Sequence, residues 1–174
     1  MHIWSRRLCA MLLCPVVAAN RKTFCMKDSK ETLYASLLAQ VASLCEGEKD
    51  LTAKMANVSA LLHSELRHWW TGFYRVVDGE LLLGPFQGPL ACVHIGYGRG
   101  VCGSAWQQER TLVVPDVDRF PGHIACSSAS KSEVVVPMFL DGKVIAVLDI
   151  DSQHLAAFDR RDALWLERIV AAMV

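Results

Sequence analysis

The sequence predicts an α+β fold: a mostly antiparallel central sheet, with N- and C-terminal helices on one face and a loop-covered ligand pocket on the other. Three observations carry this. Helical periodicity is confined to the two ends of the chain. Two Asp-Gly pairs, Asp78-Gly79 and Asp141-Gly142, each stand between apolar runs, which is a strong hairpin signal. Short strand-like runs joined by loops fill the middle of the chain.

The elements follow in order. Ser29 is a candidate N-cap for a helix through ETLYASLLAQVASLCEG, with Leu33, Leu37, Leu38, Val41 and Leu44 at helical spacing and Gly47 ending it. A second helix is expected from about Lys49 to Arg67, striped by Leu51, Met55, Val58, Leu61 and Leu62. WTGFYRVVDGELLLGPF reads as strand, turn, strand. ACVHI reads as a short strand leading into GYGRG, and VCGSAWQQ as a short helix. TLVVPDV is a strand stopped by Pro115, and a loop runs from Asp116 to Ser130. SEVVVPMFLDGKVIAVLDIDS forms the second hairpin. A last helix is expected from about Arg160 to Val174, with Asp159 as N-cap and Asp162 at its third position.

Composition narrows the function. The 174 residues fit one domain, or one domain plus a tail, and 52% of them are apolar, enough for a core. Lys+Arg and Asp+Glu balance at 18 each, so no global field draws nucleic acid or an anionic membrane. There are seven cysteines, Cys9, Cys14, Cys25, Cys45, Cys92, Cys102 and Cys126, an odd number without a C-x-x-C pair. That argues against a secreted disulfide framework and a structural zinc site, and for free thiols in a reducing compartment. Residues 1–25 hold four basic residues and no acid, with an apolar run from Leu8 to Ala19 too short to span a bilayer. They read as a disordered or wrongly started extension, or as a mitochondrial presequence; a secretory signal fits poorly with unpaired thiols.

Several residues stand out chemically. Asp149 and Asp151 are two apart in a strand and share a face, where two carboxylates call for a cation: a metal, a basic side chain or a ligand ammonium. A solvated strand end is the ordinary alternative. Glu133 begins the partner strand, about as far from the turn as Asp149, and is expected near it across the ladder. Cys102 lies among Gly96, Gly98, Gly100 and Gly103 at a helix start, where backbone N–H groups favour a thiolate, although buried inert cysteines are common. Cys92 reads as an ordinary strand cysteine. Cys126 differs, because Ser127, Ser128, Ala129 and Ser130 offer it no apolar cover, and His123 is close in sequence. Trp70, Gly72 and Tyr74 alternate along one face of a strand, as a pocket wall or as aromatic core.

Together, WTGFY, LLLGPFQGPLACVHIGYGRGVCGSA, the VPDV and FPGHIACSSASKSEVVVP segments and VIAVLDIDS resemble the free methionine-(R)-sulfoxide reductases, enzymes built on a single GAF domain. The resemblance covers about Ser29 to the C-terminus. It implies a GAF domain at 29–174, with 1–28 left as an extension. It implies Cys126 as catalytic nucleophile, Cys92 as its disulfide partner, and Cys102 in a supporting or alternative resolving role. Glu133, Asp149 and Asp151 are implied as substrate-binding acids, with Trp70 and Tyr74 as pocket aromatics. The implied reaction reduces free L-methionine (R)-S-oxide to L-methionine through a cysteine sulfenic acid and an intramolecular disulfide. Thioredoxin, fed indirectly by NADPH, is the implied reductant, with no bound cofactor or metal, a cytoplasmic location and a dimer plausible for the fold. Two rival readings remain: a GAF module that senses a small ligand without turning it over, and a metal-binding protein using Asp149, Asp151 and His123.

Overall fold

The computed structural model describes residues 15–122 and 128–174, with side chains described from Ser29 onward. The chain divides into two compact units, Met1–Tyr34 and Ala35–Val174. The first is helical throughout its described residues. Helix α1, Pro15–Cys45, passes through Ser29 without a break, so Ser29 is not its N-cap. Neither Gly nor Pro occurs between Val16 and Cys45, and nothing local stops the helix there.

The second unit holds the sheet. Helix α2, Leu51–Leu66, starts where the Asp50 side chain accepts a hydrogen bond from the Ala53 N–H, and ends at Arg67 in the left-handed region. Strands β1, Trp70–Val77, and β2, Glu80–Gln87, form the first hairpin. A short strand β3, His94–Gly96, is followed by helix α3, Gly100–Gln108, and strand β4, Leu112–Val114. A single 3-10 turn covers Val117–Arg119. Strands β5, Ser132–Leu140, and β6, Lys143–Ser152, form the second hairpin, and helix α4, Arg160–Ala171, closes the chain. Asp159 and Asp162 make the expected reciprocal capping box at its start. In both hairpin turns the two central residues have positive φ: Asp78 49° and Gly79 85°, Asp141 50° and Gly142 75°. That is the turn geometry whose twist matches the flanking strands.

The six strands run in the order β3-β2-β1-β6-β5-β4, every neighbouring pair antiparallel. Strands β1, β6 and β5 are buried on both faces. Phe73, Val134, Val136, Leu148 and Ile150 point to one side, and Tyr74, Val135 and Val147 to the other; all are at most 2% exposed. α2 packs against β1 and β2, and α4 against β4 and β5. On the second face, Val101, Cys102 and Ala105 of α3 join Tyr74, Leu81, Val135 and Val147 in one apolar cluster. Gly103 lets α3 come this close, since a Cβ there would stand 2.4 Å from the Gly96 carbonyl oxygen.

One residue sets the geometry of that face. Next to its turn the second hairpin pairs Leu140 with Lys143 and Phe139 with Val144, but farther on Met138 pairs with Ala146. Ile145 is the extra residue, a β-bulge in β6. Beyond it Glu133 pairs with Asp151, and Val135 with Asp149. Glu133 and Asp149 do lie near each other across the ladder, as expected, with side-chain oxygens within 4.8 Å, although they are diagonal rather than direct partners. Had β6 paired regularly with Ile145 in the ladder, Glu133 would oppose Ile150, and both aspartates would lie on the other side of the sheet. A second bulge, at Gly84-Pro85 in β2, does the same for Phe86, which comes opposite Gly72.

Candidate active site

The register places three acids and two aromatics on one face. β1 pairs antiparallel with β6, setting Trp70 opposite Asp151, Gly72 opposite Asp149 and Tyr74 opposite Val147. Glu133 enters the same face from β5. These side chains line a cavity of about 560 Å³, open mouth included, together with Trp69, Pro89, Leu90, Ala91, Ile95, Arg99, Gly100, Val101, Cys102 and Ser130.

Gly72 is needed beneath the aromatic wall. A Cβ there would lie 2.5 Å from the Trp70 ring and 2.4 Å from Phe86 Cβ. The Trp70 ring stacks between Tyr74, with centroids 5.9 Å apart, and Phe86, at 5.4 Å. Trp70 Nε1 donates to the Pro89 carbonyl at 3.2 Å, and the Tyr74 hydroxyl donates to the Cys92 carbonyl at 3.1 Å. The wall is thereby tied to the 89–92 segment at the cavity rim.

The floor is acidic and dry. Glu133 and Asp149 are 5% and 6% exposed, and Cys102 4%. Cys102 Sγ donates toward Glu133 Oε1 at 3.8 Å. Asp149 Oδ1 is buried without a hydrogen-bond partner among the described residues. Burial, then the charges of Asp149 and Asp151, push Glu133 well above the usual carboxylate range. Burial and the Asp151 charge do the same to Asp149. Asp151 is less enclosed. Burial raises it to about 6, while a hydrogen bond with Ser130 pulls the other way. Burial thus favours the protonated forms on this floor, and Asp151 is its most readily ionised member.

The same surroundings decide between the two readings of Cys102 in favour of the buried, inert thiol. It does sit at the third position of α3, but burial and the charges of Asp149 and Glu133 raise its thiol well above the ordinary range. The helix N-terminus is outweighed, and Cys102 stays a protonated thiol. It is also free, as is Cys45. Cys92 lies outside β3, in the loop before it, and its carbonyl accepts the Tyr74 hydroxyl. Cys92 is disulfide-bonded. Since Cys45 and Cys102 are free, neither is its partner. Cys126 and His123 lie outside the described residues.

The structure thus brings Glu133, Asp149, Asp151, Trp70, Tyr74 and Cys102 together, and ties Cys92 to the same wall. The metal reading through Asp149, Asp151 and His123 involves a residue outside the described ones. The described side chains able to share an ion are Cys102, Glu133 and Asp149, with ligand atoms within 4.8 Å of one another. Ser130, Trp69 and Arg99 escaped sequence reasoning. Ser130 was one of a run of small polar residues, Trp69 one of a doublet, and Arg99 an ordinary loop cation.

A GAF fold with an enclosed acidic pocket beside cysteines is the class these features define. The GAF domain family model matches residues 50–174. GAF domain-containing protein A of Dictyostelium discoideum is 54% identical over 145 residues, 83% of this chain and 92% of that protein. The free methionine-R-sulfoxide reductase of Escherichia coli is 44% identical over 146 residues, 83% of this chain and 88% of that enzyme. The X-ray structure of free methionine-R-sulfoxide reductase from Neisseria meningitidis in complex with its substrate superposes with a TM-score of 0.81 at 51% identity, covering 83% of this chain and 87% of that one. The chain belongs to the GAF domain family and, within it, to the free methionine-R-sulfoxide reductases. Among the described residues no helix is long and apolar enough to cross a membrane.

Proposed function

We propose that this protein reduces free methionine (R)-sulfoxide to methionine, with Cys126 as nucleophile. The observation that carries the reading is the convergence of Glu133, Asp149 and Asp151, from two neighbouring strands, on one enclosed cavity walled by Trp70 and Tyr74. Such a cluster suits a ligand with an ammonium group at one end and a polar S=O at the other. Asp151, the outer acid, faces the ammonium. Glu133 or Asp149, holding a proton in its buried setting, donates a hydrogen bond to the sulfoxide oxygen and makes the sulfur electrophilic.

The Cys126 thiolate attacks that sulfur, the S–O bond breaks, methionine leaves and Cys126 becomes a sulfenic acid. The Cys92 thiol then displaces the sulfenic oxygen as water, forming a disulfide. A dithiol protein of the thioredoxin type supplies the two electrons and two protons that restore both thiols. The disulfide-bonded state of Cys92 and the free, protonated state of Cys102 favour Cys92 as the resolving thiol.

A thioredoxin-coupled assay tests the proposal. The free R sulfoxide is expected to turn over, and the free S sulfoxide and a peptide-bound sulfoxide to lag by two orders of magnitude or more. Cys126→Ser is expected to abolish turnover, and disulfide mapping after one turnover to return the Cys92–Cys126 peptide pair. Wild-type rates from Cys126→Ser, or equal rates on the peptide, would overturn it.

A further inference from the structure

The acids account for one end of an amino acid. A free amino acid also carries an α-carboxylate beside its ammonium, and three acidic side chains repel it. Of the described residues lining the cavity, Arg99 alone is basic. Its side chain is exposed and makes no hydrogen bond or ion pair with any described residue. Arg99 occupies the N-cap position of α3 but contributes no side-chain capping bond. Its stem lies along Gly96, where a Cβ would stand 3.2 Å from Arg99 Cγ. Next to it, Gly100 and Val101 also line the cavity. As the first residues of α3 their N–H groups have no intrahelical acceptor, and the helix presents its positive end there. The cavity is therefore polarised, with acids on the sheet side and an uncommitted cation beside free N–H groups on the α3 side.

We infer that Arg99 and the start of α3 receive the α-carboxylate of the substrate, making Arg99 a specificity-determining residue for the free amino acid over its amide or peptide forms. The inference rests on the reading above and names the group that enforces its substrate class. Asp151 and Arg99 together bracket the zwitterionic end near the mouth, while the side chain extends toward the buried acids. A peptide-bound methionine lacks both charges at this end, and a carboxamide lacks the one that Arg99 reads.

The test compares the full-length wild type, Arg99→Gln and Arg99→Lys on free methionine (R)-sulfoxide and on its carboxamide, which keeps the ammonium. For the free acid, Arg99→Gln is expected to raise KM about 10-fold or more with kcat within about twofold, the loss of one charge-assisted contact. Its KM for the carboxamide is expected to match the wild type's, and Arg99→Lys to lie between. Because Arg99 is exposed, the wild-type KM for the free acid is expected to climb with salt, and that of Arg99→Gln to stay flat. Equal wild-type efficiency on acid and carboxamide, or an equal loss on both in Arg99→Gln, would overturn the role. A wild type that reduces neither compound would instead refute the proposed reaction, and this inference with it.

Discussion

Asp149 is buried, carries an oxygen with no described partner, and faces Asp151 and Glu133. An acid so placed costs the empty protein stability, because its ionised form is neither hydrated nor paired. Asp149→Asn keeps the shape and removes the charge. It is expected to stabilise the ligand-free fold at pH 7, on the order of 1 kcal/mol in urea unfolding, while lowering kcat/KM for the sulfoxide by at least 100-fold. A variant both less stable and fully active would contradict this role. At this scale the sequence was informative where residue type alone implies chemistry. Two aspartates separated by one residue in a strand already share a face. The state of Cys102 was not legible, because position on a helix is local whereas burial against Glu133 and Asp149 is tertiary.

Among the elements, the β5–β6 hairpin is where counting matters most. Its turn was readable from Asp141-Gly142, and so was its length, yet a strict two-residue hairpin would have put Glu133 on the wrong face. Ile145, an ordinary apolar residue in an apolar strand, gives no local sign that it bulges. Deleting Ile145 removes the bulge but keeps the Asp141-Gly142 turn, Met138 opposite Ala146 and Glu133 opposite Asp151, so the acids stay on their face. The expected outcome is cooperative unfolding with a loss of about 1–3 kcal/mol, from the lost twist and side chain, read by chemical denaturation. Ile145→Ala, which keeps the count, is expected to remain folded and active. The other elements were legible because their signals are local: the Asp159–Asp162 capping box, the Asp78-Gly79 turn and the stripe of α2. β3 was expected to begin at Ala91 but begins at His94, beside the Gly84-Pro85 bulge of its partner strand, which no local signal marks.

For the whole molecule, the acid cluster couples folding to pH. Asp151 is raised to about 6 from an ordinary carboxylate value, so the folded chain binds its proton more tightly than the unfolded chain does. That contribution to stability is fully present below about pH 4 and is lost as pH rises through about 6. Glu133 and Asp149 are raised further and extend the loss to higher pH. The ligand-free protein is therefore expected to show a denaturation midpoint that falls from pH 5 to pH 8, and Asp149→Asn to flatten that slope. A midpoint that rises over this interval would contradict the buried, proton-holding floor.

The unpartnered oxygen of Asp149 also has a dynamic meaning. A site that stores protons while vacant must surrender some of them when a cationic group arrives, so uptake of the amino acid and release of acid to the surrounding buffer are two sides of one exchange. The pocket then behaves as a small charge reservoir, refilled by solvent between turnovers and only partly drained by each incoming molecule.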